Sequence, residues 1–200
     1  MSRLRRMRYV RSLTILHEAA HAVVGIRLGK RGLQAMYLAS STNPHGKGRY
    51  TTEWTSKKMR ISRMTRKRRR RILFREIMIA VAGDIAMWRL GVEDMEVPTF
   101  ALENLQDPNS DEARAIGYLA HLCGDDFDER AQRTLCNIMD ATEAMILNDP
   151  EVNYAILRLA CDLEEGNIDT VDGRSVEQHV RACFTAVRKG QVVLREQVAA

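Results

Sequence analysis

The stretch "TILHEAAHAVVGIRLG", Thr14 to Gly29, decides how this chain is read. From Leu13 to Leu28 the apolar residues Leu16, Ala20, Val23, Val24 and Ile26 return at helical spacing, and Gly29 is a natural stop. On that helix His17 and His21 stand four residues apart, so their rings project from one face about one turn apart, with Glu18 beside the first. An ordinary amphipathic helix is the competing reading. Against it, three ionisable side chains among Ala19, Ala20 and Ala22 are costly to bury unless they have partners. The same geometry lets both imidazoles bind one Zn²⁺ while Glu18 points to the open coordination position. Zinc lowers the pKa of its bound water towards ~7. A carboxylate at Glu18 can then act as general base and later as general acid.

A zinc site of this kind needs a third protein ligand. No third histidine follows in the next turns, so the HExxHxxGxxH arrangement is absent. His45, His121 and His179 are isolated in the sequence. A carboxylate on another helix is the better candidate, and Glu103, Asp107, Asp111 and Glu112 cluster just before or inside "NSDEARAIGYLAHL". Spacing does not choose among these four.

Outward from the first helix, "LQAMYLAS" and "KGRYTTEW" read as two strands between Leu33 and Trp54, joined by turn chemistry at "NPHG". Thr55 or Ser56 can cap a long helix through the arginines to Leu90, ended by Gly91. Residues 91–110 are expected to be irregular, with one short helix at Phe100–Leu105. Asn109 or Ser110 then caps a helix through Leu122. Three further helices are expected in "DERAQRTLCNIMDATEAMIL", "EVNYAILRLACDLEEG" and, after a turn, "TVDGRSVEQHVRACFTAVRK". The expected class is mainly α (α+β), a helical domain with a small sheet near the HExxH helix.

At 200 residues and 45% hydrophobic, the chain can bury a real core and is not disordered in composition. Cys123, Cys136, Cys161 and Cys183 form no C-x-x-C pair, which favours reduced thiols in a cytoplasmic protein. The basic-then-apolar start imitates a signal peptide, but His17, Glu18 and His21 interrupt the apolar part. No 18-residue apolar run occurs, so no membrane span is expected.

The net charge of +5 conceals a strong asymmetry. Residues 1–75 carry 21 Lys and Arg against 2 acids, and residues 76–200 carry 10 against 24. The basic half peaks in "KKMRISRMTRKRRRR", Lys57 to Arg71. Like charges at i,i+4 on a helix each destabilise it by roughly 0.2–0.5 kcal/mol. A solvated helix face is one reading. The other is an anionic partner: nucleic acid, an anionic surface, or the acidic half of another copy in a homo-oligomer. An aromatic content of 6% argues against a base-stacking platform.

Four segments, in order, resemble the peptidase domain of the FtsH-type, ATP-dependent zinc metalloproteases. "LHEAAHAVV" resembles that family's zinc helix, with Ala20 where Gly is common. "IAVAGDIAMWRLG" resembles the small-residue helix behind the site. "NSDEARAIGYLA" resembles the segment carrying the third zinc ligand, and "ILRLACDLEEGNIDTVDGRSVEQHV" resembles the terminal helix pair with its "DG" turn. The resemblance covers about residues 13–187, flanked by a basic arm, 1–12, and a tail, 188–200.

The resemblance implies Zn²⁺ bound by His17, His21 and Asp111, with Glu18 catalytic. It also implies an extended stretch, Lys47, Gly48, Arg49, Tyr50, Thr51 and Thr52, beside the zinc, where a polypeptide substrate adds as an extra strand. The chain departs from the family in several places. It contains no G-x-x-x-x-G-K-[ST] loop and hence no ATP site, and Met87 and Trp88 stand where acidic residues are common. The Arg-rich segment and the long 91–110 connection are also unusual. The expectation is a stand-alone zinc endopeptidase acting on flexible or unfolded polypeptides. The rival is a helical nucleic-acid-binding protein using 57–71, with a vestigial or structural metal site.

Overall fold

A computed structural model of the chain describes residues 3–38, 51–54, 64–91, 110–124 and 127–192. The described chain is mainly helical, with a small antiparallel sheet. Helix α1 spans Arg3–Arg27, followed by strands β1, Leu33–Tyr37, and β2, Thr51–Trp54. Helix α2 spans Arg66–Ala86 and runs on through one wider π-helical turn, Met87–Gly91. Helices α3, Asp111–Cys123, α4, Phe127–Asn148, and α5, Pro150–Glu165, follow. Strand β3, Thr170–Asp172, leads directly into α6, Gly173–Arg188.

Several boundaries depart from the sequence reading. Helix α1 begins at Arg3 rather than near Leu13, so the basic arm is part of the helix. No glycine or proline interrupts Arg3–Leu13, and Arg, Leu and Met are good helix formers. Helix α2 is capped by Thr65, whose hydroxyl accepts the Arg68 N–H at 3.4 Å. The proposed caps Thr55 and Ser56 lie outside the described residues, as do the 92–109 connection with its short helix, and Lys57–Arg63. The sheet has a third strand where a turn was expected. Only three residues long, β3 carries too little alternation to be read from sequence.

The sheet order is β2-β1-β3. Met36 of β1 faces Thr52 on one side and Val171 on the other. Gly173 follows β3 so closely against β1 that a Cβ there would lie 2.1 Å from the Leu33 carbonyl oxygen, which accounts for the glycine of the "DG" turn. Asp172 caps α6, its carboxylate accepting the N–H groups of Arg174 and Ser175. Pro150 opens α5 behind the Asp149 cap, as a first-turn proline should.

Helices α1 and α2 form the centre of the core. Ile15, Ala19, Ala22 and Val23 of α1 and Ile77, Val81, Ala82 and Ile85 of α2 are buried, with Val152 and Ile156 of α5 and Val180 of α6 in the same cluster. Alanines at the crossing let the two backbones approach closely. That approach carries the His17–His21 face of α1 against the second half of α2. Among the described residues no helix is long and apolar enough to cross a membrane, and all four cysteines are free thiols.

Candidate metal centre

Three helices meet at the α1 histidines. His21 is buried, and its Nδ1–H donates to the Ile79 carbonyl of α2 at 2.6 Å. That bond fixes the tautomer and leaves the lone pair of Nε2 facing inward. His21 Nε2 lies 2.8 Å from His17 Nε2 and 3.1 Å from Asp111 Oδ2. Asp111 Oδ2 also lies 3.4 Å from His17 Nε2. Asp111 is the first residue of α3, whose start is fixed by the Ser110 cap, and its other oxygen accepts from Arg114 at 3.1 Å. Ser110 and Arg114 therefore aim Oδ2 at the two rings.

Two nitrogen lone pairs and a carboxylate oxygen that converge repel one another unless a metal ion or a proton lies between them. One ligand atom from each of the three residues lies within 4.8 Å of the others. Around a tetrahedral Zn²⁺ with bonds of 2.0–2.1 Å, ligand atoms are about 3.3 Å apart. The observed 2.8, 3.1 and 3.4 Å bracket that value. The buried His17 Nδ1 gives a second sign. It has no hydrogen-bond partner, while Asp84 Oδ1 of α2 stands 3.4 Å away, within ion-pair reach but short of hydrogen-bond geometry. A metal on Nε2 makes Nδ1–H a stronger donor towards that carboxylate, as in carboxylate–histidine–zinc triads. His17, His21 and Asp111 thus fit Zn²⁺, with a fourth position left for water.

Without metal, protons take up this role. Burial alone would lower the His17 pKa; contacts with Asp111 and Asp84 and the attraction of Glu18 override it and raise the value to about 10. Burial likewise pushes Asp111 up, but the attraction of His21 and the hydrogen bonds from both histidines hold it well below the usual carboxylate range. Glu112, one residue on, is raised by burial and by its neighbours Asp84 and Asp111.

Glu18 is buried, and the Thr52 hydroxyl of β2 lies 2.6 Å from its Oε2 and 3.1 Å from its backbone carbonyl oxygen. Thr52 therefore holds the carboxylate in place beside the two histidines. Strand β2 is at the edge of the described sheet, with β1 on one side only.

His17 and His21 are brought together with Asp111, the carboxylate that the resemblance, though not the spacing, singles out. Of the rival third ligands, Glu112 is outside the cluster, and Glu103 and Asp107 lie outside the described residues. So does His45; His121 is exposed, and His179 sits on α6 by Asp162 and Cys183. Of the expected substrate strand, Thr51 and Thr52 are described, with the Thr52 side chain turned inward to Glu18; Lys47, Gly48, Arg49 and Tyr50 are not.

The sequence reading missed Asp84, Gly83, Arg114 and the Ile79 carbonyl. Gly83 is required because a Cβ there would lie 2.4 Å from the His17 ring. One signal was present: Asp84 is the lone charge in the run Ile77–Ala86, and a charge inside a buried apolar helix asks for a partner. No model of a known protein family matches the chain, and no curated protein is detectably similar to it.

Proposed function

We propose that the chain is a zinc-dependent endopeptidase that hydrolyses peptide bonds of flexible or unfolded polypeptides. The observation that carries this reading is the convergence of His17, His21 and Asp111 with Glu18, itself held by Thr52, at the edge of a sheet. Bound zinc would supply a polarised, acidified water in the fourth position. Glu18 would serve as the general base and then the general acid, accepting a proton on its carboxylate and giving it up to the leaving amine. His21, pinned by Ile79, and His17, backed by Asp84, keep their lone pairs aimed at the metal. Strand β2, at the edge of the described sheet, would align an extended substrate by main-chain hydrogen bonds, which read shape rather than sequence and suit an unfolded chain. The resemblance to the FtsH-type peptidase domain supports the same roles. Four free thiols favour a cytoplasmic location.

The test is metal analysis of purified protein together with cleavage of an unstructured test protein. Near-stoichiometric zinc is expected, lost in His17→Ala, and cleavage that disappears in Glu18→Gln while zinc stays. Zinc held without any cleavage would favour instead a structural metal in a nucleic-acid-binding protein. Absence of zinc would remove the peptidase reading and leave the nucleic-acid-binding one with a vestigial site.

A further inference from the structure

Away from the metal centre, the strongest unexplained feature is the start of α2. Arg66, Lys67, Arg68, Arg69, Arg70 and Arg71 fill its first six positions; five are exposed and Arg69 is half-buried. The first turn contains no acid, and among the described residues none of the six has an ion-pair partner. The Arg70 guanidinium lies over the Phe74 ring. A helix N-terminus is already a positive dipole end, so six cations there are self-repelling unless an anion meets them. Upstream in the sequence, Lys57, Lys58, Arg60 and Arg63 extend the same charge.

We propose that the first two turns of α2 dock the protein on duplex DNA, through its phosphates and without regard to base sequence. Three arguments choose this occupant. The first is shape. Successive helix residues are ~100° apart, so the exposed cations reach from one side of the helix to the opposite side. A planar anionic bilayer meets one side only. The major groove of B-DNA is ~12 Å wide, admits a helix, and has phosphates on both walls. The major groove of A-form RNA is too deep and narrow for that.

The second is chemistry. Five of the six cations are arginines, whose planar guanidinium binds phosphate by paired hydrogen bonds. The third weighs against a second copy of the chain. Among the described residues, several acids of the C-terminal half are paired with arginines of the same chain. Glu151 pairs with Arg188 and Arg27, Asp162 with Arg158, Glu177 with Arg181 and Glu143 with Arg89. Those four acids are already engaged and are not free to receive a partner's basic helix. The proposal is independent of the peptidase reading, because none of these residues touches the metal centre.

The test is fluorescence anisotropy of a labelled duplex DNA of about 20 base pairs, titrated with the full chain from 50 to 200 mM salt. If four of the cations engage phosphates, log K should fall with log salt at a slope of about −3.6, so affinity drops about 150-fold over that range. The quadruple variant R66Q/R68Q/R70Q/R71Q should lose most of the affinity at 50 mM and most of the slope, for every DNA sequence alike. The proposal is overturned if the parent fails to bind at 50 mM salt, or if the variant binds as tightly as the parent. It is equally overturned if duplex RNA or phosphatidylserine vesicles bind as strongly as DNA. A salt-sensitive dimer seen by sedimentation without DNA, and abolished by the same variant, would assign the surface to self-association instead.

Discussion

Gly83→Ala is the most informative single change at the metal centre, because two effects of opposite sign act in different places. The new methyl would start 2.4 Å from Cε1 and Nδ1 of His17 and 2.6 Å from Cγ. Ordinary carbon contacts are about 3.5–4 Å, so the ring must withdraw by about 1 Å. Its Nε2 moves with it, whereas metal–ligand distances tolerate about 0.2 Å. Loss of a partner that orients a zinc ligand typically costs about 10–100-fold in metal affinity, and the same range is expected here. Overpacking costs about 1–3 kcal/mol, while replacing a mid-helix glycine by alanine returns about 1 kcal/mol. The metal-free protein should therefore lose at most about 2 kcal/mol, much less than the zinc-loaded form. Zinc affinity is measured by competition with a chromogenic chelator, and stability by denaturant unfolding with and without chelator. A variant that binds zinc within twofold of the parent, and whose metal-free form is the more stable by about 1 kcal/mol, would refute the packing of His17 on Gly83.

Thr52→Val should retain zinc but lower cleavage by about tenfold or more, since a hydrogen bond to a charged group, worth about 1.5–3 kcal/mol, no longer holds Glu18; unchanged turnover would show that Glu18 needs no anchor. Asp111→Asn should lose zinc on dialysis and Glu112→Gln should keep it, because only Asp111 Oδ2 faces both histidines; the reverse pattern would move the ligand. The pH dependence of the metal-free protein follows from His17, whose pKa rises from 6.5 to about 10 on folding. A raised folded pKa contributes stability that is complete below 6.5 and lost as pH climbs through about 10, so unfolding midpoints in chelator should fall across that window, and His17→Gln should flatten the fall.

The α1 half of the site was legible because helical spacing alone puts His17, Glu18 and His21 on neighbouring positions of one turn. Asp111 was not legible from spacing, since it is brought back across 94 residues by the packing of α3, and local pattern left four carboxylates equal. The supporting contacts were less visible still. The Ile79 group is a backbone carbonyl, which no side-chain pattern announces, and Gly83 acts by what it lacks. Caps read well at α3, where the choice lies between Asn109 and Ser110 and Ser110 is the one used. They read poorly at α2, where Thr55, Ser56 and Thr65 all precede the same helix and Thr65 is the cap. The sequence reading starts the helical period at Leu13, where the apolar residues begin to recur, and so misses the continuation of α1 back to Arg3, although arginine has high helix propensity.

One helix carries both the basic docking end and the backing of the metal centre, which gives a last test of whether the two act separately. From Arg68 to Gly83 is fifteen residues of α-helix, about 22 Å at ~1.5 Å per residue. The Debye length at 0.1 M salt is about 10 Å, so the arginine field is largely screened at the zinc ligands. The interior of α2 is fixed by buried residues from Leu73 to Ala86, so neutralising the exposed end should leave its second half in place. R66Q/R68Q/R70Q/R71Q is therefore expected to change zinc affinity by less than twofold and cleavage of a short peptide not at all. Conversely, Gly83→Ala should lower zinc affinity and leave DNA affinity as it is. A double set of titrations, zinc and DNA on both variants, decides this. If the arginine variant weakened zinc binding in step with DNA binding, the basic end would have to reach the metal centre, and a rigid α2 that keeps the two apart would be the wrong description.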